Sequence, residues 1–288
     1  MNQPIIGAGT TRKQRLCAIV SKLDKHATSM KLLTCNTGYL LGYENVLWGY
    51  APQPVNSLVG NHRVERRTLK QLVTLIDRER PDVVSLLEVD RGSHRTATEG
   101  QLQTLLDALD NRGLNYWGAG ANKYAERGLV TALPFFGHLG NAVLARAPGS
   151  VTRHYLSSGR KRLVIELSLG QDAVLFMVHL SLGTRSRRRQ LRELTDLIDG
   201  RADGRDVIVT GDFNTFDEPE VLETFAQDTG LDAQIPGETV PGRPLDTLFI
   251  DSRCIDLFFC SPSVNVDRCD VIDEQVSDHR PVVMETGA

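Results

Sequence analysis

No two of the five cysteines (Cys17, Cys35, Cys254, Cys260 and Cys269) form a CxxC pair, and their odd number leaves no complete disulfide framework. Reduced, buried thiols in a cytoplasmic protein are the expectation. No apolar run approaches the length of a membrane span. The opening MNQPIIGAGTTRKQR lacks the basic-then-apolar order of a secretion signal. The chain has neither the HExxH of a zinc protease nor the GxxxxGK(S/T) of a P-loop. No repeat of fixed period and no long Pro/Gly/Ser linker divides it, so the 288 residues read as one domain. An excess of one charge is missing too: 33 Lys and Arg face 36 Asp and Glu, and a net of −3 gives no overall field to attract polyanions. The remaining composition, 41% apolar and 24% charged, is that of a globular protein and excludes disorder and collagen-like repeats. Nothing in it calls for an obligate protein partner.

The charge is unevenly spread. Residues 1–31 carry Arg12, Lys13, Arg15, Lys22, Lys25 and Lys31 against Asp24 alone, a net of +5 that leaves −8 on the rest. We read residues 1–29 as a basic, partly helical extension with a solvated face, and 30–288 as the folded domain.

Five segments place apolar residues at or near helical spacing: Leu16/Ile19/Val20/Leu23, Leu69/Leu72/Val73/Ile76, Leu102/Leu105/Leu106/Leu109 and, less strictly, Leu191/Leu194/Thr195/Ile198 and Leu222/Phe225/Ala226/Thr229. Pro81 should stop the second, and Gly113, Gly200 and Gly230 offer left-handed positions after the third, fourth and fifth. Asp217 and Glu220 have the spacing of a capping box for the fifth. Strands are expected at 30–35, 83–87, 142–145, 163–167, 173–178, 207–210, 255–259 and 282–284, mostly apolar throughout and so covered on both faces. Such strands with interspersed helices predict an α/β or α+β layered fold.

Polar residues follow these runs at informative places. LLTC leads into Asn36, VVSLL into Glu88, LFMV into His179, and VIVT into Gly211-Asp212-Phe213-Asn214. Asp256 lies inside the run CIDLFFC, and Ser277-Asp278-His279 directly precedes PVVM. Each alone reads more simply as a turn or strand-exit residue. Asp256 is the exception, since an acid in a buried strand costs several kcal/mol unless partnered, and His279 is the natural partner. Together they hold chemistry. Carboxylates without cysteine ligands favour a hard divalent cation, Mg²⁺ or Mn²⁺. Asn and His donors suit phosphate oxygens whose charge grows during attack, and another Asp can position water. The set reads as metal-assisted phosphoester hydrolysis.

The order Asn36, Glu88, His179, Gly211-Asp212-Phe213-Asn214, Asp256, Ser277-Asp278-His279 resembles the endonuclease/exonuclease/phosphatase superfamily over roughly residues 30–286. That group includes DNase I-like nucleases, AP endonucleases, neutral sphingomyelinases, inositol polyphosphate 5-phosphatases and deadenylases. The resemblance implies an α+β fold, a four-layer α/β/β/α sandwich of two packed mixed β-sheets flanked by helices, with 30–288 as the catalytic domain. It implies Glu88 as the metal ligand with Asn36 and Asp278 nearby, Asp212 orienting or deprotonating water, and Asn214 holding phosphoryl oxygens. It implies His279, paired with Asp256, on the scissile phosphate. His179 matches the strand-end histidine of the DNase I-like and sphingomyelinase-like branches, and Asn141 a phosphate-side asparagine of the latter. AP endonucleases usually carry a basic residue soon after the metal Glu, where this chain has Val89-Asp90. They also lack the strand-end histidine and the Asn141-Ala142-Val143-Leu144-Ala145-Arg146 segment. The resemblance therefore points to the sphingomyelinase-like and uncharacterised hydrolase branches.

Tyr39, Tyr43, Trp48 and Tyr50 follow Asn36 closely and stand either at the site mouth, for lipid or nucleobase, or in a self-packed loop. Arg185, Arg187, Arg188, Arg189 and Arg192 follow His179, where a solvated helix face is the simpler reading than a phosphate-binding one. A calcineurin-like metallophosphatase is excluded because Gly60-Asn61-His62 precedes Gly211-Asp212 and no late Gly-His-x-His exists, which leaves Gly60 and Gly211 as turn residues. Three functions remain: a Mg²⁺-dependent phosphodiesterase or phosphatase, a nuclease on the same scaffold acting on DNA or RNA, and a non-catalytic binding module. The last would be expected to lose a metal acid or base, yet Glu88, Asp212, Asp278 and His279 are all present.

Overall fold

The computed structural model describes residues 29–42, 62–93, 96, 100–128, 131–133, 136–216, 218–240 and 253–287. The expected first helix, nearly all of the basic extension, Cys17, Tyr43, Trp48, Tyr50, Gly60 and Asp217 lie outside them.

Twelve strands form two six-stranded mixed sheets among the described residues. Sheet one contains β1 (Lys31–Asn36), β2 (Val83–Asp90), β3 (Trp117–Asn122), β4 (Leu139–Ala145), β11 (Val266–Val271) and β12 (Val282–Thr286), in the order β11-β12-β1-β2-β4-β3. Sheet two contains β5 (Val151–Tyr155), β6 (Leu163–Leu169), β7 (Ala173–His179), β8 (Asp206–Asp212), β9 (Asp232–Gln234) and β10 (Asp256–Cys260), in the order β5-β6-β7-β8-β10-β9. Each sheet has a parallel pair at its centre, β1 with β2 and β7 with β8, so the carboxyl ends of the four central strands fall at two sheet ends that the packing brings together.

Among the described residues four α-helices cover the outer faces: α1 (His62–Glu79), α2 (Gln101–Asp110), α3 (Thr184–Arg201) and α4 (Pro219–Thr229). Their apolar faces are those expected, with Leu72, Val73 and Ile76 of α1, Leu105 and Leu109 of α2, and Leu191, Leu194 and Ile198 of α3 all buried. Helix α1 closes with Arg80 at φ 52° ahead of Pro81, which cannot continue it. Helix α4 opens differently from the capping-box expectation: Glu218 is the N-cap, its side chain makes no cap bond, and Pro219 pre-sets the first turn. Gly230 takes the left-handed position after α4. Gly200 does not end α3, which runs through it to Arg201.

Buried apolar residues divide into three layers, which is the four-layer α/β/β/α sandwich. One lies between α1, α2 and sheet one, one between the sheets, and one between sheet two and α3, α4. The middle layer is where strand periodicity matters most, because successive side chains alternate between it and the helix layers.

Candidate active site

The middle layer changes from apolar to polar along the strands. On β1, Leu32 belongs to the inter-sheet core and Leu33 and Cys35 to the helix layer, so Thr34 and Asn36 share the phase of Leu32. On β8, Thr210 and Asp212 share the phase of Ile208 in the same way. The Thr34 and Thr210 hydroxyls meet across the layer at 2.7 Å, and Asn36 Nδ2 lies 3.4 Å from Asp212 Oδ2. His179 is in phase with Leu175 and Met177, Asp256 with Phe258 and Cys260, and Asn141 with Val143 and Ala145. Five site residues thus stand one or two steps beyond side chains that fill the sandwich.

Glu88 reaches the same layer by a different route. Before it, Val84 and Leu86 face the helices; after it, Val89 does. The phase slips because Leu87 and Glu88 together oppose Asn141, a β-bulge in which Glu88 has φ 55°. Without the bulge, Glu88 would point at α1 and α2. Thr37 Oγ1 donates to Glu88 O at 2.7 Å, and the Glu88 N–H donates to Asn141 Oδ1 at 3.2 Å, which holds the bulge from both sides.

Asp212 lies level with His179 on β7 and with Asp256 on β10. Gly211, beside it, is a strand residue and not the turn residue expected: its φ is 138°, and a Cβ there would stand 1.9 Å from Val178 O. Asp212 Oδ1 accepts the Asn214 N–H at 2.9 Å, and Asn214 Nδ2 donates to Leu180 O at 2.8 Å, which fixes Asn214 at φ 53°. The expected Asp256–His279 pair is present at 2.7 Å. His279 Nε2 then faces Asn36 Nδ2 at 3.5 Å, while Ser277 Oγ donates to Asn36 O and accepts the His279 N–H. His179 Nε2 stands 3.3 Å from Asp212 Oδ2 and 4.0 Å from Glu88 Oε1. Asp278 is half-buried, and its charge acts on both Lys161 and His279.

Sequence reasoning missed Thr37, Lys123, Lys161 and Thr239. Lys123 Nζ donates to Glu88 Oε1 at 2.9 Å, and Lys161 Nζ lies 3.9 Å from the same oxygen and against His179 Nε2. Lys123 follows the Gly-rich WGAGAN and Lys161 sits in SSGRKR, neither of which carries a continuous apolar run. Thr239 Oγ1 accepts the Asp256 N–H at 3.2 Å and so fixes the start of β10. Arg187, by contrast, is buried against Glu218 and Leu182 O and is committed to the fold. Cys35 beside Asn36 is fully packed, and burial pushes its thiol far above the ordinary range, so it is no nucleophile. A shallow cavity of about 370 Å³ is lined by Arg91, Asn122, Glu126 and Arg127.

Burial would raise the Glu88 carboxyl, but Lys123, Lys161 and His179 outweigh it and bring it down to about 2. Asp212 is likewise held below the ordinary carboxylate range by His179, His279 and Lys161 despite burial. Burial and the Lys161 charge push His179 down to about 4. His279 goes the other way: burial disfavours its cation, yet Asp256 raises it to about 10. At neutral pH Glu88 and Asp212 are therefore carboxylates, His179 is neutral, and His279 is an imidazolium paired with Asp256.

Asp212, Asp256 and His279 present ligand atoms within 4.8 Å of one another and could hold a metal ion. The His279 Nδ1 of that trio is already committed to Asp256. Glu88, Asn36 and Asp278 offer side-chain oxygens, and the ion pairs of Glu88 with Lys123, Lys161 and His179 all use Oε1. An all-oxygen set of this kind fits a hard divalent cation.

The sequence model of the endonuclease/exonuclease/phosphatase family matches residues 45–279. The chain belongs to that family. No curated protein matches the sequence. Solved structures share the fold at low identity. An endonuclease/exonuclease/phosphatase of Beutenbergia cavernae DSM 12333 is 22% identical, with TM-score 0.62 over 90% of this chain and 71% of that one. The mannosyl-6-phosphatase of Bacteroides thetaiotaomicron is 16% identical, with TM-score 0.61 over 90% and 100%. D. rerio TDP2, complexed with a single-strand DNA product, is 14% identical, with TM-score 0.57 over 91% and 100%. Family membership supports hydrolysis of phosphate esters in general. No helix among the described residues is long and apolar enough to cross a membrane.

Proposed function

We propose that this chain is a Mg²⁺- or Mn²⁺-dependent phosphoesterase that hydrolyses a phosphodiester or phosphomonoester by in-line attack of water. The observation that carries the reading is the convergence of Glu88, His179, Asp212 and His279: His179 lies within ion-pair reach of both Glu88 and Asp212, and Asn36 Nδ2 faces both Asp212 and His279. Glu88, together with Asn36 and Asp278, would hold the divalent cation. When bound, that cation supplies Lewis-acid polarisation of a phosphoryl oxygen and offsets the charge that builds there.

The chain's own residues supply the rest. Asp212, ionised and fixed by His179 and Asn36, orients the attacking water; held below the ordinary carboxylate range, it suits orientation better than full proton abstraction. His279, kept protonated by Asp256, faces the negative charge developing on the phosphate. Asn214 and Asn141 hold phosphoryl oxygens; Asn141 Nδ2 is buried and has no hydrogen-bond partner, a donor in waiting for an anion. His179, neutral, fixes Asp212.

A nuclease would use the same groups, and the named structural neighbours include both a sugar phosphatase and a DNA-bound protein. Purified protein should hydrolyse bis-p-nitrophenyl phosphate with Mg²⁺ or Mn²⁺ and lose that activity with EDTA. Asp212→Ala and His279→Ala should abolish turnover while the circular dichroism and melting curves stay those of a folded protein; full activity in either variant would refute its role. The same preparation, screened in parallel on DNA, RNA, sphingomyelin, inositol phosphates and a sugar phosphate, separates the readings. Plasmid nicking without small-molecule or lipid turnover would establish the nuclease, and the converse would eliminate it.

A further inference from the structure

We propose that Lys123 and Lys161 form a two-lysine clamp that binds the phosphate undergoing cleavage and takes the place of a second metal ion, so that the site works with one divalent cation. The proposal rests on the phosphoesterase reading above and adds the number of metal ions and the residues that anchor the phosphate.

The two lysines arrive from opposite halves of the molecule. Lys123 directly follows β3 at one edge of sheet one, and Lys161 lies in the loop between β5 and β6 at one edge of sheet two. Their backbones are tied together, since Lys123 O accepts both the Arg162 N–H at 2.7 Å and the Leu163 N–H at 3.2 Å. The Lys161 loop is pinned again from the β7–α3 connection and from α3 itself. Ser181 Oγ accepts the Arg160 and Lys161 N–H groups at 3.0 and 3.2 Å, and the fully buried Gln190 donates through Nε2 to Lys161 O. The loop can lie that close only because Gly159 has no side chain: at φ 80°, a Cβ there would stand 2.3 Å from Ser181 Oγ. So much fixed backbone is more than a solvated lysine loop needs.

Both ammonium groups stand within ion-pair reach of one oxygen, with Lys161 Nζ also against His179 Nε2. Lys123 is 3% exposed and Lys161 17% on their side chains, and both address Glu88 Oε1. Lysine is among the residues least often buried, and one cation suffices to pair one carboxylate. A second cation on the same oxygen adds mutual repulsion, which an arriving dianionic or monoanionic phosphoryl group relieves. Lys123 Nζ also donates to the Tyr39 hydroxyl, and the Tyr124 ring lies 5.6 Å away, so the ammonium is fixed by Tyr39 on one side and by Glu88 on the other. Lys161 also feels Asp212 and Asp278 as well as Glu88, so its ammonium stands among the acidic groups that a second metal ion would need. Asn141, whose Oδ1 accepts the Glu88 N–H, keeps its buried Nδ2 unpartnered and so adds a neutral donor beside Glu88.

The test uses the metal-free, full-length chain and two titrations by calorimetry, one with Mn²⁺ and one with inorganic phosphate. The wild type should take one Mn²⁺ per chain and should bind phosphate without metal. Lys161→Met, and independently Lys161→Gln, should weaken metal-free phosphate binding at least tenfold and tighten Mn²⁺ binding severalfold, because a competing cation beside Glu88 is gone. Opposite signs are the diagnostic result, since a lysine needed only for packing would weaken both ligands and lower the melting temperature together. Two Mn²⁺ per wild-type chain overturns the proposal, as does unchanged phosphate affinity in both variants at unchanged melting temperature. If the wild type takes no Mn²⁺ while its phosphate binding still depends on Lys161, the metal-dependent function fails and the clamp stands.

Discussion

Sheet two presents its share of the centre as a straight row, whereas sheet one has to bend to present its own. His179, Asp212 and Asp256 lie level on β7, β8 and β10 by ladder register alone. Across from them, Asn36 ends β1 in phase, but Glu88 reaches the gap only through a bulge with φ 55°, held by Thr37 and Asn141. The difference divides the labour. Three adjacent strands can fix distances between acid and imidazole to within the tolerance of a hydrogen bond, which is what water positioning requires. A bulged strand can re-aim one carboxylate without moving its neighbours, which suits a ligand whose free oxygen must meet something that arrives from solvent.

The row is the more fragile of the two to a change in backbone. Gly211→Ala forces a Cβ to 1.9 Å from Val178 O in the middle of a buried sheet, at a φ that only glycine adopts freely. The expected cost exceeds about 4 kcal/mol, seen as loss of soluble protein or a large drop in denaturant midpoint. A normally stable Gly211→Ala protein would mean that the row tolerates shifts and that its straightness carries no function. A gentler break is Asp256→Asn, which keeps shape and removes the charge behind His279. Turnover should fall about 100- to 10,000-fold while the fold persists. If the loss is less than about tenfold by steady-state kinetics, the charged row is not what activates His279.

The same contrast explains what could be read before the structure. The eight strands expected from apolar runs are the eight interior ones. The four unforeseen, β3, β5, β9 and β11, are the four edges of the two sheets. An edge strand is half exposed, so WGAGAN or VDRCDV has no continuous apolar signal to offer, and its pairing is decided by its neighbour. Asn36, Glu88, His179, Asp212 and Asp256 were legible because each interrupts or ends an interior run. Their phase was legible as well: Leu32-x-Thr34-x-Asn36 and Ile208-x-Thr210-x-Asp212 show the same descent from apolar to polar at period two. The bulge was not, since nothing local in Ser-Leu-Leu-Glu-Val marks a slipped register. Lys123 and Lys161 leave even less trace. They become site residues only because two edges fold over the carboxyl ends of the central strands, a tertiary fact with no counterpart in nearby sequence.

The smallest expected effect lies where the two sheets touch, one step inside the site. Thr210 Oγ1 donates its single proton to Leu257 O at 3.1 Å, so in the 2.7 Å contact between the two hydroxyls Thr34 must be the donor. The two side chains are therefore unequal. Thr34→Val removes a donor and leaves Thr210 its bond to Leu257, at a cost of about 1 kcal/mol. Thr210→Val strands the buried Thr34 hydroxyl and frees Leu257 O as well, at about 2 kcal/mol. Valine keeps the branched shape and the strand preference of threonine, so packing changes little. In the double variant both hydroxyls are gone, and the total should fall short of the sum by about 1 kcal/mol. Strict additivity in urea unfolding would mean that this hydrogen bond does not couple the sheets. The alignment of Asn36 with Asp212, two residues further along the same strands, would then rest on the apolar layer alone.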